Sequence, residues 1–431
     1  MATLDYVRIY DHYWSRPDRW GGHSFKDPEW LANQVLTICH QGSILDVGCG
    51  MGLLVRTLLA RGIDAYAIDV APAVIDEGNR LTPGRYQQGS ILDIPYPDDS
   101  FDSVISIDVL EHLAPEDVPR AIAELFRVTR RHAFIRLGTQ PDIDKTWHLT
   151  LEPRSWWDKL FLAAGFRKHP LSQLVTGYDP LEDEHAWEID FALEKIPAQA
   201  RAAYPLDTLQ QQRNLHMDML RESGRRSDAH IARYTLARQY VHPDHAVLDA
   251  ACGLGYGSAI LAANTAAQCV IGIDNSPDAI EYADANFSTA YPATNFRYGD
   301  LTQPISLVDR DIDLAVSFET LEHLHDPEPF LAQLAQTIRP GGQAIFSVPN
   351  DWTNESGQDP SPYHFHAYDW PKFYQQLSRH FIVEKAYAQI AGGAMKLTDQ
   401  PRSLHEIPVT ESQTAEAEWW IAIARKKGDQ P

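Results

Sequence analysis

The sequence predicts two α/β domains in tandem, each built on a mostly parallel sheet with helices between its strands. Three observations lead there. A glycine-rich motif, Leu45-Asp46-Val47-Gly48-Cys49-Gly50-Met51-Gly52, returns as Leu248-Asp249-Ala250-Ala251-Cys252-Gly253-Leu254-Gly255. Two companions follow each copy in the same order. They are Ala67-Ile68-Asp69 then Leu110-Glu111-His112-Leu113 in the first, and Gly272-Ile273-Asp274 then Leu321-Glu322-His323-Leu324 in the second. The offset is 203 between Asp46 and Asp249, 205 between Asp69 and Asp274, and 211 between His112 and His323, so only small insertions separate the copies. Three linked elements recurring in order mark a repeated unit rather than a chance loop. At 431 residues the chain is too long for one ordinary core and suited to two of roughly 200.

In the first half, short β-branched runs alternate with helical ones. Residues 44–47, 65–69, 103–107 and 133–137 read as strands, with helices over 52–61, 73–80 and 118–129. Strict alternation implies right-handed crossovers and parallel pairing. A helix follows at 155–164, with Trp156, Leu160 and Ala163 on one stripe, and a closing strand at 187–196. The second half repeats the plan at 247–250, 270–274, 295–298, 312–317 and 343–348, closing with strands at 381–387 and 418–424. Small and polar residues bracketed by Pro197 and Pro205 mark the join, so the expected domains are 1–196 and 206–431 with a linker at 197–205. Two irregular stretches, 140–151 and 350–368, each follow a strand and are rich in Trp, His and Pro. Such loops at the carboxyl edge of a parallel sheet are where ligands bind.

Composition narrows the partners. A formal net charge of −22 repels phosphate backbones, so no nucleic acid is expected. The cluster Arg221, Arg225 and Arg226 reads as a solvated helix end. No run of about 18 apolar residues occurs, so no membrane span is expected. The opening Met1-Ala2-Thr3-Leu4 lacks the pattern of a signal peptide. Four cysteines without a CxxC pair fit the reducing cytoplasm rather than a disulfide or zinc framework. Nothing in the sequence speaks to oligomeric state.

The motifs carry the chemistry. Glycines after a strand let backbone N–H groups approach a ligand at a helix start. The spacing is G-x-G-x-G in one copy and A-x-G-x-G in the other, not the G-x-G-x-x-G of a dinucleotide site. Asp46 or Asp249 precedes each loop on its strand, where a carboxylate would repel a pyrophosphate and attract a cation. A second acid, Asp69 or Asp274, ends the next strand, where it can take both hydroxyls of a ribose. A nucleoside with positive charge and no phosphate meets both conditions, as S-adenosylmethionine does.

On these residues both halves resemble class I S-adenosylmethionine-dependent methyltransferases, from about Gln34 onward. The resemblance implies two Rossmann-like seven-stranded domains, mostly parallel with an antiparallel last strand. It also implies S-adenosylmethionine held by Asp46, Gly48, Gly50, Gly52 and Asp69, and by Asp249, Gly253, Gly255, Asp274 and Asp300. Two departures fall in the first half: Ser90 stands where the second has Asp300, and Val128–His132 lacks the Ile338–Gly342 turn. One falls in the second, Ala251 for the first glycine. His112 and His323 are expected on the methyl side, as catalytic general bases or pocket walls. Trp147, His148, His364 and His366 lie in the irregular stretches, which resemble acceptor loops of enzymes acting on sugars and surface glycans. No metal is expected, because no carboxylate or cysteine completes a familiar histidine spacing. The segment Tyr13–Trp20 resembles a lid over the cofactor.

The expected function is therefore methyl transfer, to oxygen before nitrogen, on a small-molecule or glycan acceptor by two fused catalytic domains. An alternative keeps only the second half active and makes the first a degenerate scaffold. A nicotinamide-dependent dehydrogenase is disfavoured by Asp46, Asp249 and the glycine spacing.

Overall fold

A computed structural model describes residues 4–16, 27–141, 147–178, 186–206, 217–303, 311–351, 359, 361–392, 397, 400–410 and 415–428. Trp20 and Arg19 of the expected lid lie outside them. The described residues divide into two compact units, one ending at Ile196 and one starting at Pro197, with Tyr178 grouped with the second.

The first unit holds β1 (Ser43–Val47), β2 (Asp64–Asp69), β3 (Tyr86–Gln88), β4 (Phe101–Ile107), β5 (Thr129–Gly138), β6 (Phe166–Lys168) and β7 (Glu188–Lys195), in the order β3-β2-β1-β4-β5-β7-β6. β1 runs parallel to β2 and β4, and β4 to β5, while β7 runs antiparallel to β5 and β6. Ser103–Ile107 of β4 is buried without a break, as befits a central strand covered on both faces. Helix Val118–Val128 shows how the cover is made. Val118, Ala121, Ile122, Leu125 and Val128 recur at helical spacing and are all buried, on a core with Val104, Trp157 and Phe161. The strand order reverses between β1 and β4, which opens a crevice at their carboxyl ends.

The second unit repeats this with β8 (Ala246–Ala250), β9 (Cys269–Asp274), β10 (Thr294–Tyr298), β11 (Ile312–Phe318), β12 (Ile338–Pro349), β13 (Phe381–Ile390), β14 (Ser403–Ile407) and β15 (Trp419–Lys426), ordered β10-β9-β8-β11-β12-β15-β13-β14. β15 is the antiparallel strand inserted between β12 and β13. Its sheet has eight strands rather than seven, because β14 adds antiparallel to β13 at the edge.

Several local expectations change. The Val128–His132 stretch does lack the turn of Ile338–Gly342, yet it is strand from Thr129 on: β5 begins there opposite Phe101, as β12 begins at Ile338 opposite Ile312. Both pairs then shift register, and the second copy takes up extra residues with Gly341 at φ +78°. The 197–205 stretch carries a short helix, Ala198–Ala203, with Ala200 buried. Arg221 is not solvated. It is buried and donates to the Tyr204 carbonyl at 2.9 Å. No helix among the described residues is long and apolar enough to cross a membrane.

Candidate active site

In the first unit β1 delivers Asp46 and then turns through Gly48, Gly50 and Gly52 at φ +81°, +47° and +65°. Glycine reaches these angles without strain. The turn aims the Gly50 N–H at Asp69 Oδ2, 3.0 Å away, and the Ala71 N–H meets Oδ1 at 2.9 Å. Burial raises the Asp69 pKa, and these backbone donors pull it back. Gly52 opens helix Leu53–Ala60. A Cβ there would stand 2.5 Å from the Tyr86 hydroxyl, so its bareness serves the approach of helix to sheet. Trp14 covers Gly50 from helix Tyr6–Trp14: a Cβ on Gly50 would meet its ring at 3.0 Å.

The second unit builds the same cradle. Asp274 Oδ2 accepts the Gly253 N–H at 2.9 Å, and Oδ1 accepts the Ser276 N–H at 3.0 Å. Gly255, at φ +80°, opens helix Tyr256–Ala262. Ala251 holds φ +65° where the first copy has Gly48.

The two strand acids differ electrostatically. Among the described residues nothing hydrogen-bonds to the Asp46 side chain, and burial, then the charge of Asp69, pushes its pKa up to about 8. Asp249 is as buried but accepts the Tyr234 hydroxyl at 3.0 Å and the Ser258 hydroxyl at 2.7 Å. Burial raises its pKa and these donors restrain it, to about 6.

Across the crevice, the chain leaving β4 kinks at Asp108, and that leaving β11 at Glu319, both at φ +53°. Such angles cost a non-glycine residue about 1–3 kcal/mol and are held by surrounding structure. Here the Asp108 N–H donates to the Arg136 carbonyl at 3.0 Å, and the Glu319 N–H to that of Ser347 at 3.1 Å. The 3-10 turns Leu110–His112 and Leu321–His323 follow. Glu111 and Glu322 are fully buried; burial, then the acids Asp108 and Glu319 respectively, raises both well above the carboxylate range. Glu111 Oε1 accepts the Gly138 N–H at 2.7 Å.

The irregular stretches dock on these turns. Leu149 and Thr150 N–H groups donate to the Glu111 carbonyl, as Phe365 does to that of Glu322. This sets His148 beside His112 and His364 beside His323, each ring pair 4.9 Å apart. His112 Nδ1 lies 3.0 Å from the Trp147 carbonyl, and His323 Nδ1 3.0 Å from that of Tyr363. A carbonyl only accepts, so each Nδ1 carries the proton and each Nε2 the lone pair. In the first unit a cavity of about 680 Å³ joins the two sides, from Gly50, Asp69 and Ser90 to Glu111, His112 and His148.

The comparisons with known proteins agree with this geometry. Residues 45–137 match a family model described as a methyltransferase domain, and residues 247–342 match a second of the same description. The chain is 35% identical over 120 residues to a "Probable S-adenosylmethionine-dependent methyltransferase" of Mycolicibacterium smegmatis, covering 27% of this chain and 44% of that protein. Both halves carry a methyltransferase domain, and the chain is similar to S-adenosylmethionine-dependent methyltransferases. A malonyl-[acyl-carrier protein] O-methyltransferase of Serratia marcescens is 37% identical over 102 residues, 23% of this chain and 39% of its own. A ubiquinone biosynthesis O-methyltransferase of Azorhizobium caulinodans is 29% identical over 171 residues, 34% of this chain and 65% of its own. The chain thus spans less than half the length of the first two relatives.

The methyltransferase cofactor suits the residues present. A cationic nucleoside needs buried acids beside a bare loop, and Asp46 is a buried carboxyl group without a donor, which a neighbouring cation would ionise. Asp300 follows Gly299, whose N–H donates to the Asp274 carbonyl at 2.9 Å; Gly89 and Ser90 hold the same place after Asp69. Asp300 Oδ1 accepts the Thr302 N–H at 2.9 Å. Of the acceptor-side residues, Trp147, His148 and His364 meet the histidine turns. His366 does not: its Nε2 lies 3.1 Å from the His325 carbonyl, away from the pair.

Sequence reasoning gave no role to Glu111 or Glu322, although both sit inside the repeated motif. The repeat itself was the available signal. For the Tyr234–Asp249–Ser258 group there was none, since only folding brings that helix against the strand.

Proposed function

We propose that the chain methylates acceptor oxygens at two sites, one in each of the domains 1–196 and 206–431, joined through 197–205. S-adenosylmethionine supplies a methyl group on a sulfonium that leaves readily, so positioning and water exclusion provide most of the gain. The observation that carries the reading is the pairing, in both units, of an acidic glycine-loop cradle with a Glu–His–His cluster. Asp69 and Asp274 would take the ribose hydroxyls, Asp46 and Asp249 the cationic end, and Asp300 the adenine. Gly48, Gly50, Gly253 and Gly255 would let the backbone approach. His112 and His323, with their lone pairs on Nε2, can accept the proton of an acceptor hydroxyl near neutral pH.

The acceptor is a small molecule, a sugar or glycan precursor among the candidates. Tyr10, Tyr13 and Trp147 line the first cavity and suit stacking on a ring. Oxygen is favoured because the Serratia and Azorhizobium relatives are named as O-methyltransferases. The four cysteines form no disulfide, which suits the cytoplasm. The intact cradle and cavity of the first unit favour two working sites over a degenerate first half.

Calorimetric titration of S-adenosylmethionine into the full chain tests this. Two sites are expected, one lost with Asp69→Ala and the other with Asp274→Ala. Each variant should still release S-adenosylhomocysteine with hydroxyl acceptors. A single site, indifferent to Asp69→Ala, would leave methyl transfer to the second domain alone.

A further inference from the structure

The Glu–His–His clusters carry a feature that proton transfer does not require. Among the described residues neither oxygen of the Glu322 carboxylate has a hydrogen-bond partner, and neither does Glu111 Oε2, although both side chains are fully buried. A buried carboxyl oxygen without a donor leaves its group protonated unless a cation sits beside it, and a bound ion would displace that proton and satisfy the oxygen. The neighbouring imidazoles bring nitrogen donors close to it. His112 and His323 donate from Nδ1 to the Trp147 and Tyr363 carbonyls. His148 does so to the Gln140 carbonyl at 2.6 Å, and His364 to Asp359 Oδ2 at 2.8 Å. In each ring, when neutral, the proton is then on Nδ1 and Nε2 is the basic nitrogen. Proteins aim imidazoles at metal ions in this way, with an outer carbonyl or carboxylate fixing the tautomer.

Donor atoms of Glu111, His112 and His148 lie within 4.8 Å of one another, and so do those of Glu322, His323 and His364. An ion bound at about 2.0–2.1 Å in tetrahedral geometry would draw them to roughly 3.4 Å, a matter of side-chain rotation. Two imidazoles and a carboxylate suit first-row transition ions better than magnesium or calcium, and three protein ligands leave a position open. We infer that each unit binds one divalent transition-metal ion, with Zn²⁺ the reference case, on Glu111–His112–His148 and on Glu322–His323–His364. The expectation of no metal is revised because the second histidine lies 36 or 41 residues beyond the first, out of reach of a spacing rule. With the ion bound, His112 and His323 are ligands rather than bases. The open position would take an acceptor hydroxyl, lower its pKa and let its proton pass to water. That role rests on the methyl-transfer reading above; the ion site does not.

The test titrates Co²⁺ and Zn²⁺ into the chelator-treated full chain, by visible absorbance and calorimetry, with S-adenosylmethionine titrated in parallel. Two ions per chain are expected. His148→Ala should weaken one and His364→Ala the other by roughly 100-fold or more, and Asp359→Ala should weaken the second by about 10–100-fold. Fewer than two ions, or ions that survive both histidine substitutions, would overturn the assignment. If a histidine variant also loses cofactor binding, Glu111→Gln and Glu322→Gln decide, since they keep the shape and remove the charge. Unchanged ion affinity in those two overturns the site. Loss of cofactor binding with both ions retained would instead sink the methyl-transfer reading and leave the metal sites standing.

Discussion

At the scale of single residues, the two copies hold the same acid in different states. Asp46 is neutral below about pH 8, whereas Asp249, held by Tyr234 and Ser258, is ionised above about pH 6. A cation beside Asp46 favours its carboxylate. Binding of S-adenosylmethionine at pH 7 should therefore release a proton from the first unit and little from the second. Calorimetry at pH 7 in buffers of different ionisation enthalpy checks this: one binding enthalpy should vary with buffer, and Asp46→Asn should abolish that variation. The sign for stability follows from the same shift. The folded pKa lies above the ordinary 3.8, so burial of Asp46 is tolerated below about pH 4. Between there and about pH 8 it costs up to about 1.4 kcal/mol per pH unit. Asp46→Asn should accordingly stabilise the first unit at pH 8 and not at pH 4. Ala251 carries a different cost, because φ +65° is strained for any residue with a Cβ. Ala251→Gly should stabilise the second unit by about 1 kcal/mol in urea unfolding. The reverse change, Gly48→Ala, should cost more, since its Cβ would stand 2.5 Å from Val109.

At the scale of elements, helix Tyr6–Trp14 closes the first cradle. Tyr6 anchors it, donating to Asp117 at 2.7 Å and accepting the Ala114 N–H at 2.9 Å, while Trp14 lies over Gly50. Trp14→Ala should weaken S-adenosylmethionine binding in the first unit roughly tenfold, about the value of one buried aromatic contact. It should leave the second unit unchanged, as two-site calorimetry would report. A loss at both sites would mean that the helix supports folding rather than the cradle. The strands that escaped the sequence were the short or unpatterned ones. β3 and β6 span three residues each, too few for a period-2 signal, and β14 (Ser-Leu-His-Glu-Ile) lacks a clean alternation. The start of β5 was hidden because Arg130 and Arg131 face solvent in a strand that is otherwise buried.

At the scale of the whole molecule, the recurrence of one motif set carries most of the explanation. One copy of the motif set is an ambiguous loop; two copies in register define two sheets, two cradles and the same turn after the fourth strand. That much follows from sequence alone, because backbone-level features are local. Glycines that must take positive φ, acids at strand ends and alternating strands and helices leave marks in neighbouring residues. The second acid of each cradle could be placed for the same reason, one strand after its loop. What only the tertiary structure decided depends on long-range packing. The return of 147–150 and 364–366 onto the histidine turns sets His148 by His112 and His364 by His323, and leaves His366 aside. It also encloses Glu111 and Glu322 away from water. The unequal state of Asp46 and Asp249 has the same origin, since Tyr234 reaches Asp249 from a helix that lies before the strand in sequence. Spacing along a chain determines which groups recur, but whether a carboxylate is buried, and what faces it, is set by other elements packing against its strand or turn.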